Sequence, residues 1–596
     1  MFLITLPFAD DFNLITRDVR KHRKLMKRLH ELTQSMGLKL KPRKCRSLSV
    51  KAGKSVEIDF MLGESTISSI LHDKFHKFLG GLYTFENTTA SIASVINEKV
   101  GDQLKLIDGL LVRNEYKVRI YSEYYLGSLR FLFSVHDLHK TQLRSLDSLS
   151  HKFLKKWLGL PQGASWALVH DYHGLNIKSF EHLYLESRSL TLSNIRFFSD
   201  SRVRHALDVK EEREAGWRRK FSPAIYAKGL IQDLVPPVAM DEEVSTVGNG
   251  LDSSNDSWSS LELVGPPLPP PPPVVPSLPP PSVSPLPVSP VPAPPMSVSP
   301  SLPASATQAR DAMKRQLKGK VQSRVREEFN DFWKEKIGRY VMQGDFLALV
   351  KEEQDSITWR SFLWDVPQGV LKFAVNAGIN TLPSLDNLKR WGKRTNDRCP
   401  FCGNIETLLH ILSNCSTSLD QGRYTWRHDS VLTSIITLIR PHLYDGMVLY
   451  SDMIGYQAPH GGTIPPHILV TNLRPDIFIV DENARIAIVF ELTCPWDNNI
   501  ERSHTYKEEK YSPLVADLAN SFSVFHFSVE VSVRGQVTKN NRARLKSFVY
   551  RSCRDARPLT KSLTKIISKA ALLSSFSLFN ARKEPSWISP TPLVVS

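Results

Sequence analysis

The chain has 596 residues, about four times the roughly 150 residues of a common domain, so it has room for several separate cores. Its formal net charge of +17 and pI near 9.4 favour a phosphate-rich partner, because clustered lysine and arginine gain free energy by releasing counterions from nucleic acid; an anionic membrane surface is the competing partner. No apolar run approaches the ~20 residues needed to span a bilayer, and the start MFLITLPFADD has neither a basic lead-in nor a small-residue cleavage site, so no membrane and an intracellular location are expected. Six cysteines in so long a chain do not make a disulfide framework, and three of them fall within seventeen residues, which favours metal over cystine.

In chain order, the strand-like run Phe2 to Pro7 ends in Phe8-Ala9-Asp10-Asp11. Adjacent aspartates at a tight turn present carboxylates to one spot, which suits two-metal phosphoryl transfer and equally any solvated turn. From Arg17 to Lys54 there are fourteen Lys and Arg against two acids, spread over an amphipathic helix with Val19, Leu25, Met26, Leu29 and Leu32 and then Gly37-Leu38 to Lys44-Cys45. A strand pair with Lys77-Phe78-Leu79-Gly80-Gly81 follows.

The aspartate pair, the Gly-Leu to Lys-Cys segment and the Phe-Leu-Gly turn, in this order, resemble three consecutive motifs of the reverse transcriptase palm of non-LTR retrotransposons. The resemblance implies an RNA-directed DNA polymerase in which Asp10 and Asp11 bind Mg²⁺, Lys44 protonates departing pyrophosphate, and Phe78 to Gly80 grip the primer. Phe8 stands where the family more often has Tyr. The family's other catalytic aspartate precedes this turn, and Met1 lies only nine residues before Asp10, so a truncated copy or a fragment, inactive as a polymerase by itself, is expected.

Between about 90 and 230 helical periodicity dominates: Ile92, Val95, Ile96, Val100, Leu104, Ile107 and Leu111 recur at three- and four-residue steps. Such stripes are ordinary bundle cores, and only their position after the primer-grip motif implies a polymerase thumb, with Arg130, Lys140, Arg144, Lys152, Lys155 and Lys156 available to track a duplex. From about 235 to 307 the composition falls to Pro, Ser and Val, including Pro269 to Pro273, which predicts an extended linker; its PxxP pattern also offers an SH3 or WW ligand. Helices return from Ala309 to Tyr340 and onward to Trp391.

Cys399-Pro400-Phe401-Cys402 followed by His410 and Cys415 supplies three thiolates and an imidazole, the ligand count of a closed, structural Zn²⁺ site in a nucleic-acid-contacting knuckle. Next, Arg423-Tyr-Thr-Trp426-Arg427-His428-Asp429 opens an apolar helix; Asp429 can cap it, while Arg423 and Arg427 either contact phosphates or are plain exposed cations. Then two runs rich in Ile, Val and Phe surround a polar turn, Arg474-Pro475-Asp476 to Val480 and Ile486 to Thr493, and predict a β-hairpin. If it pivots between Asn483 and Ala484, Asp476 faces Glu491 with Cβ atoms roughly 5 Å apart. Carboxylates that close repel unless one is protonated or a divalent cation joins them, which suggests Mg²⁺; a buried strand pair ending in solvated acids is the other reading. A lysine-bearing helix with Lys507 and Lys510 one turn apart follows.

Knuckle, helix start, Arg-Pro-Asp strand, Glu-Leu-Thr strand and lysine helix together resemble the C-terminal half of non-LTR retrotransposons of the restriction-like-endonuclease group. That resemblance implies Mg²⁺-dependent nicking of target DNA by Asp476, Glu491 and a lysine, Lys510 narrowly ahead of Lys507. It also implies target-primed reverse transcription of the element RNA, in the nucleus after RNA–protein assembly in the cytoplasm. Many relatives in the wider nuclease class place lysine where this chain has Thr493.

The expected architecture is multidomain α+β. It comprises a partial palm (1–85), a helical thumb (86–234), the linker (235–307), a helical linker domain (308–395), a CCHC knuckle (396–420), an α/β restriction-like nuclease domain (421–560) and a basic tail (561–596), helical at first. The alternative function is a decayed or co-opted, non-catalytic nucleic-acid binder; an adaptor working through the PxxP run is a third.

Overall fold

In the computed structural model, residues 4–8, 11–52, 54–70, 75–78, 80–84, 89–196, five positions between 203 and 209, and 304–595 are described. The chain mixes helices with small sheets and forms two compact units, Met1–Val95 with Arg188–Val321 and Ile96–Ser187 with Gln322–Ser596. Among the described residues no helix is long and apolar enough to cross a membrane. The proline-rich stretch falls outside the described residues up to 303, so the SH3 or WW expectation has no structural counterpart here.

The first unit opens with β1 (Ile4–Phe8) paired antiparallel to β2 (Asp11–Ile15), which sets Phe8 opposite Asp11. Asp18 then starts α1 (Val19–Ser35), its carboxylate accepting from Lys21 N at 3.0 Å and so satisfying one orphan donor of the first turn. Of this helix only Met26 and Thr33 are buried, because five basic residues crowd its first turns. Short hairpins follow: β3 (Ser49–Lys51) with β4 (Lys54–Val56), β5 (Phe60–Leu62) with β6 (Ser65–Ile67), and β7 (His76–Phe78) with β8 (Gly81–Tyr83). Their core is small, Met26 with Phe60, Leu62 and Ile67.

The apolar stripe at three- and four-residue steps forms α2 (Thr89–Gly109), burying Ile96, Val100, Leu104 and Ile107. Leu111 lies beyond the helix end and is fully exposed, so the stripe stops one step short of its sequence pattern. In the second unit the helical stretch 96–187 is fastened to the C-terminal part. Lys351 Nζ meets buried Asp171 at 2.6 Å, Arg360 donates to the carbonyls of Tyr172 and Gly174 at 2.6 and 2.8 Å, and Ile357 N donates to His173 O at 3.0 Å.

The centre of this unit is a four-stranded sheet of order β12-β11-β10-β9, built from β9 (Val448–Ser451), β10 (Ile477–Asp481), β11 (Ile486–Thr493) and β12 (Ser523–Glu530). β10 is antiparallel to both neighbours, and β11 and β12 are parallel. A parallel pair needs a crossover, and the chain supplies it as a helix, Ile500–Ala519. Side chains alternate along each strand, so Ile477, Ile479, Ile488 and Phe490 enter one core with Val431 and Ile435. Phe478, Val480, Ala487 and Val489 enter another with Tyr511, Leu514 and Leu518 of the crossover helix. The segment read as a basic tail carries the helix Ala556–Asn580, whose Leu559, Leu563, Ile566, Ile567 and Ala570 are buried in the first of these cores. Its lysines occupy the other side of the same apolar stripe.

Candidate active site and metal cluster

The hairpin register is Ile477 opposite Phe490, so the next pair outward sets Asp476 against Glu491. By alternation both carboxylates belong to the face that carries Phe478 and Val489, where the crossover helix packs. At this strand end the two residues interlock. Asp476 N donates to Glu491 Oε1 at 3.1 Å, and Leu492 N donates to Asp476 Oδ2 at 2.6 Å. Ser451 Oγ donates to Asp476 O at 2.6 Å and ties the aspartate to the neighbouring strand.

The two candidate lysines take different positions. Lys507 Nζ lies 2.5 Å from Glu491 Oε2, within a buried site. Lys510, three residues on, places its ammonium 4.9 Å from the Tyr511 ring centroid and is exposed. Tyr511 in turn donates its hydroxyl to Arg474 O at 2.8 Å, holding the Arg-Pro-Asp turn against the helix.

Sequence reasoning gave no role here to His428. Its Nε2 is 3.3 Å from Asp476 Oδ2 and its Nδ1 is 3.1 Å from Asp429 Oδ1. The helix Arg423–Ile439 begins at Gly422, so Asp429 sits well inside it, with its carboxylate on His428. The only signal was the Arg-His-Asp triplet entering an apolar helix, which does not say which strand it meets.

The electrostatics follow from this crowding. Burial opposes ionisation of Asp476, but His428 and Lys507 outweigh it and hold the carboxyl below its usual range. Burial and the Asp476 charge push Glu491 upward, and Lys507 offsets only part of that. Burial alone would depress His428 and Lys507, yet the carboxylates beside them raise both.

The second cluster is the knuckle. Cys399, Cys402, His410 and Cys415 bring one ligand atom each within 4.8 Å of the others. Cys402 Sγ is 3.3 Å from His410 Nε2 and 3.9 Å from Cys415 Sγ, close to the ~3.7 Å that a tetrahedron with 2.3 Å metal–sulfur bonds would require. A small void of about 10 Å³ borders Cys399, His410 and Cys415. Gly403, with φ +76°, closes the thiol turn through its N–H to Cys399 O at 3.0 Å. Tyr424 OH bridges from the next helix, donating to His410 O at 3.1 Å.

Arg423 and Arg427 are both buried. Arg423 donates to Ala581 O and Glu584 O at 2.8 and 2.6 Å, and Arg427 donates to Leu412 O at 2.8 Å. Both bind the knuckle helix to neighbouring backbone. Of the N-terminal residues, Asp10 lies outside the described residues and Asp11 is described only as a strand residue paired with Phe8. Lys44 is exposed at the end of a short 3₁₀ turn, Phe78 pairs with Gly81 across a hairpin, and Gly80 turns that hairpin at φ +80°.

No protein-family model matches the chain. Over 186 residues it is 25% identical to the Retrovirus-related Pol polyprotein from type-1 retrotransposable element R2 of Nasonia vitripennis, a match that covers 30% of this chain and 18% of that polyprotein. The chain thus spans less than a fifth of that relative, and the similarity is to a non-LTR retrotransposon protein.

Proposed function

We propose that the chain is a retrotransposon-derived, Mg²⁺-dependent DNA endonuclease centred on Asp476, Glu491 and Lys507, joined to a reverse transcriptase segment. The observation that carries this reading is the opposed pair Asp476 and Glu491 with Lys507 2.5 Å from Glu491, on neighbouring strand ends under one helix. Two carboxylates are the usual protein share of a Mg²⁺ site, water and a substrate phosphate completing it. Burial and then the Asp476 charge raise the Glu491 carboxyl, and a cation between the two carboxylates would relieve the charge part of that. Bound there, Mg²⁺ would supply Lewis-acid stabilisation of the phosphate. Lys507 would donate to the attacked phosphate or orient the attacking water, and His428 would fix the Asp476 carboxylate.

The knuckle, with a closed Cys₃His set, would hold Zn²⁺ as a structural ion. The basic first unit would contact target DNA or element RNA, which accords with the charge of +17, and the work would take place in the nucleus after cytoplasmic RNA–protein assembly. One observation favours the non-catalytic reading: Glu491 already accepts from both Asp476 N and Lys507, so the cluster is internally neutralised. Incubating the full chain with supercoiled plasmid and Mg²⁺ separates the two. Nicking that Asp476→Asn abolishes supports the enzyme, and binding without nicking supports the decayed copy.

A further inference from the structure

Ahead of the knuckle, a short helix places a tryptophan on the surface. The helix Leu385–Arg390 starts on Ser384, whose Oγ accepts from Asn387 N at 3.2 Å. It stops at Gly392, in the left-handed region at φ +68°, where Gly392 N donates to Lys389 O at 2.9 Å and Lys393 N to Leu388 O at 2.8 Å. This glycine closure fixes the helix end and with it Trp391, which remains 40% exposed.

Trp391 stands between two open cavities. One, of about 360 Å³, is walled by Leu160, Phe373, Phe576 and Phe579, with Lys372 and Asn580 beside them. The other, of about 290 Å³, includes Tyr340, Asn380 and Arg390. Both sizes are near the lower end of ligand sites, roughly 300–1,000 Å³. No acid lines either cavity. Arg390 is paired with Asp386 at 3.2 Å, whereas Lys372 and Lys393 form no ion pair among the described residues. Lys393 instead lies 5.9 Å from the Trp391 ring centroid. The floor is set: Asn376 Nδ2 donates to Gly159 O at 3.1 Å and to Lys372 O at 2.8 Å, and Thr381 Oγ1 donates to Asn376 Oδ1 at 2.8 Å.

The geometry points to a seat for an unpaired nucleotide of single-stranded nucleic acid, its base stacked on Trp391 and its phosphates held by Lys372 and Lys393. A free phosphate would use the cations and leave the aromatic wall idle, and an apolar peptide would use the wall and leave the cations idle. A nucleotide uses both. Every base has a π-face, and the Asn376 amide on the floor is already hydrogen-bonded within the chain, so stacking and not base-edge contact dominates the seat. No residue of this seat belongs to the Asp476 centre, so the inference survives failure of the nuclease reading.

The test is fluorescence anisotropy of the full chain, in buffer without Mg²⁺, on a labelled 12-nucleotide DNA strand, the same strand as RNA, and the matched DNA duplex. Trp391→Ala is expected to weaken single-strand binding about tenfold and Trp391→Phe about twofold, with duplex binding unchanged. The DNA and RNA arms show which strand the seat prefers. In parallel, a strand carrying 5-iodouracil should photo-cross-link in the wild-type chain to the peptide around Trp391, which keeps the test decisive if Trp391→Ala fails to fold. Single-strand binding indifferent to Trp391→Ala, an equal loss on duplex, or cross-links mapping elsewhere would overturn the inference.

Discussion

Lys507 Nζ reaches Glu491 Oε2 at 2.5 Å from the crossover helix between two parallel strands, while Lys510 turns to the Tyr511 ring. One helical turn thus separates a lysine at the carboxylates from one at the surface. In a plasmid-nicking assay, Lys507→Ala should lower the rate about 10²- to 10³-fold, in the range of a lost proton-transfer or charge-stabilising group. Lys510→Ala should stay within about threefold; a larger loss from Lys510→Ala than from Lys507→Ala would reverse the assignment.

His428 joins Asp429 to Asp476, at 3.1 and 3.3 Å. A residue that orients a metal-binding carboxylate costs about 10- to 100-fold when removed. His428→Ala should therefore reduce nicking by that factor and raise the Mg²⁺ concentration needed for half-maximal rate. An unchanged Mg²⁺ dependence would make the contact structural only.

The knuckle should carry one zinc per chain. Elemental analysis of the purified protein measures this directly, and Cys402→Ser should lose the metal. Because metal affinity at a folded site is folding free energy, its loss should lower the melting temperature by about 5–10 °C. Zinc absent from wild-type protein, purified without chelator, would count against the assignment.

Acid should weaken the second unit through two buried imidazoles, His170 and His182, and the half-buried His151. Burial depresses His151 to about 3, His170 to about 4 and His182 to about 3. These groups stay neutral in the folded chain while the unfolded chain takes up protons below about pH 6.5, so stability is full above that value and falls as pH drops towards 4. Each contributes up to about 2 kcal/mol of that loss at pH 5. His182 stacks on Phe329 with centroids 4.5 Å apart, so His182→Phe keeps an aromatic there and should flatten the fall between pH 7 and 5. A fall as steep as wild type's would contradict this.

The hairpin was legible in the sequence because strand register has a period of two and the polar turn fixed the pivot; Asp476 opposite Glu491 follows from arithmetic. The four knuckle ligands were legible because their spacing is local, and the structure gathers them within 4.8 Å. Helix phase was the limit for Lys507 and Lys510, since a one-turn spacing leaves the facing residue to tertiary packing. His428 was illegible because its partner lies in a strand far along the chain. Arg423 and Arg427 carry the composition of a phosphate contact, but their guanidinium groups satisfy backbone carbonyls, a use that composition does not distinguish. In the helix Ala556–Asn580, Lys561, Lys565 and Lys569 recur every four residues beside the buried stripe, so composition alone reads as a basic segment.

If Asp476, Glu491 and Lys507 form one hydrolytic centre, their losses on substitution are coupled. The most direct measurement is the initial nicking rate of supercoiled DNA by the full chain against Mg²⁺ concentration, for wild type, Asp476→Asn, Glu491→Gln and the double variant. Saturable Mg²⁺-dependent nicking is expected, with near-equal losses of about 10³-fold or more in all three variants, because residues acting as a unit are not additive. Nicking that survives Asp476→Asn, or wild-type protein that binds DNA and leaves it supercoiled at every Mg²⁺ concentration, would contradict it.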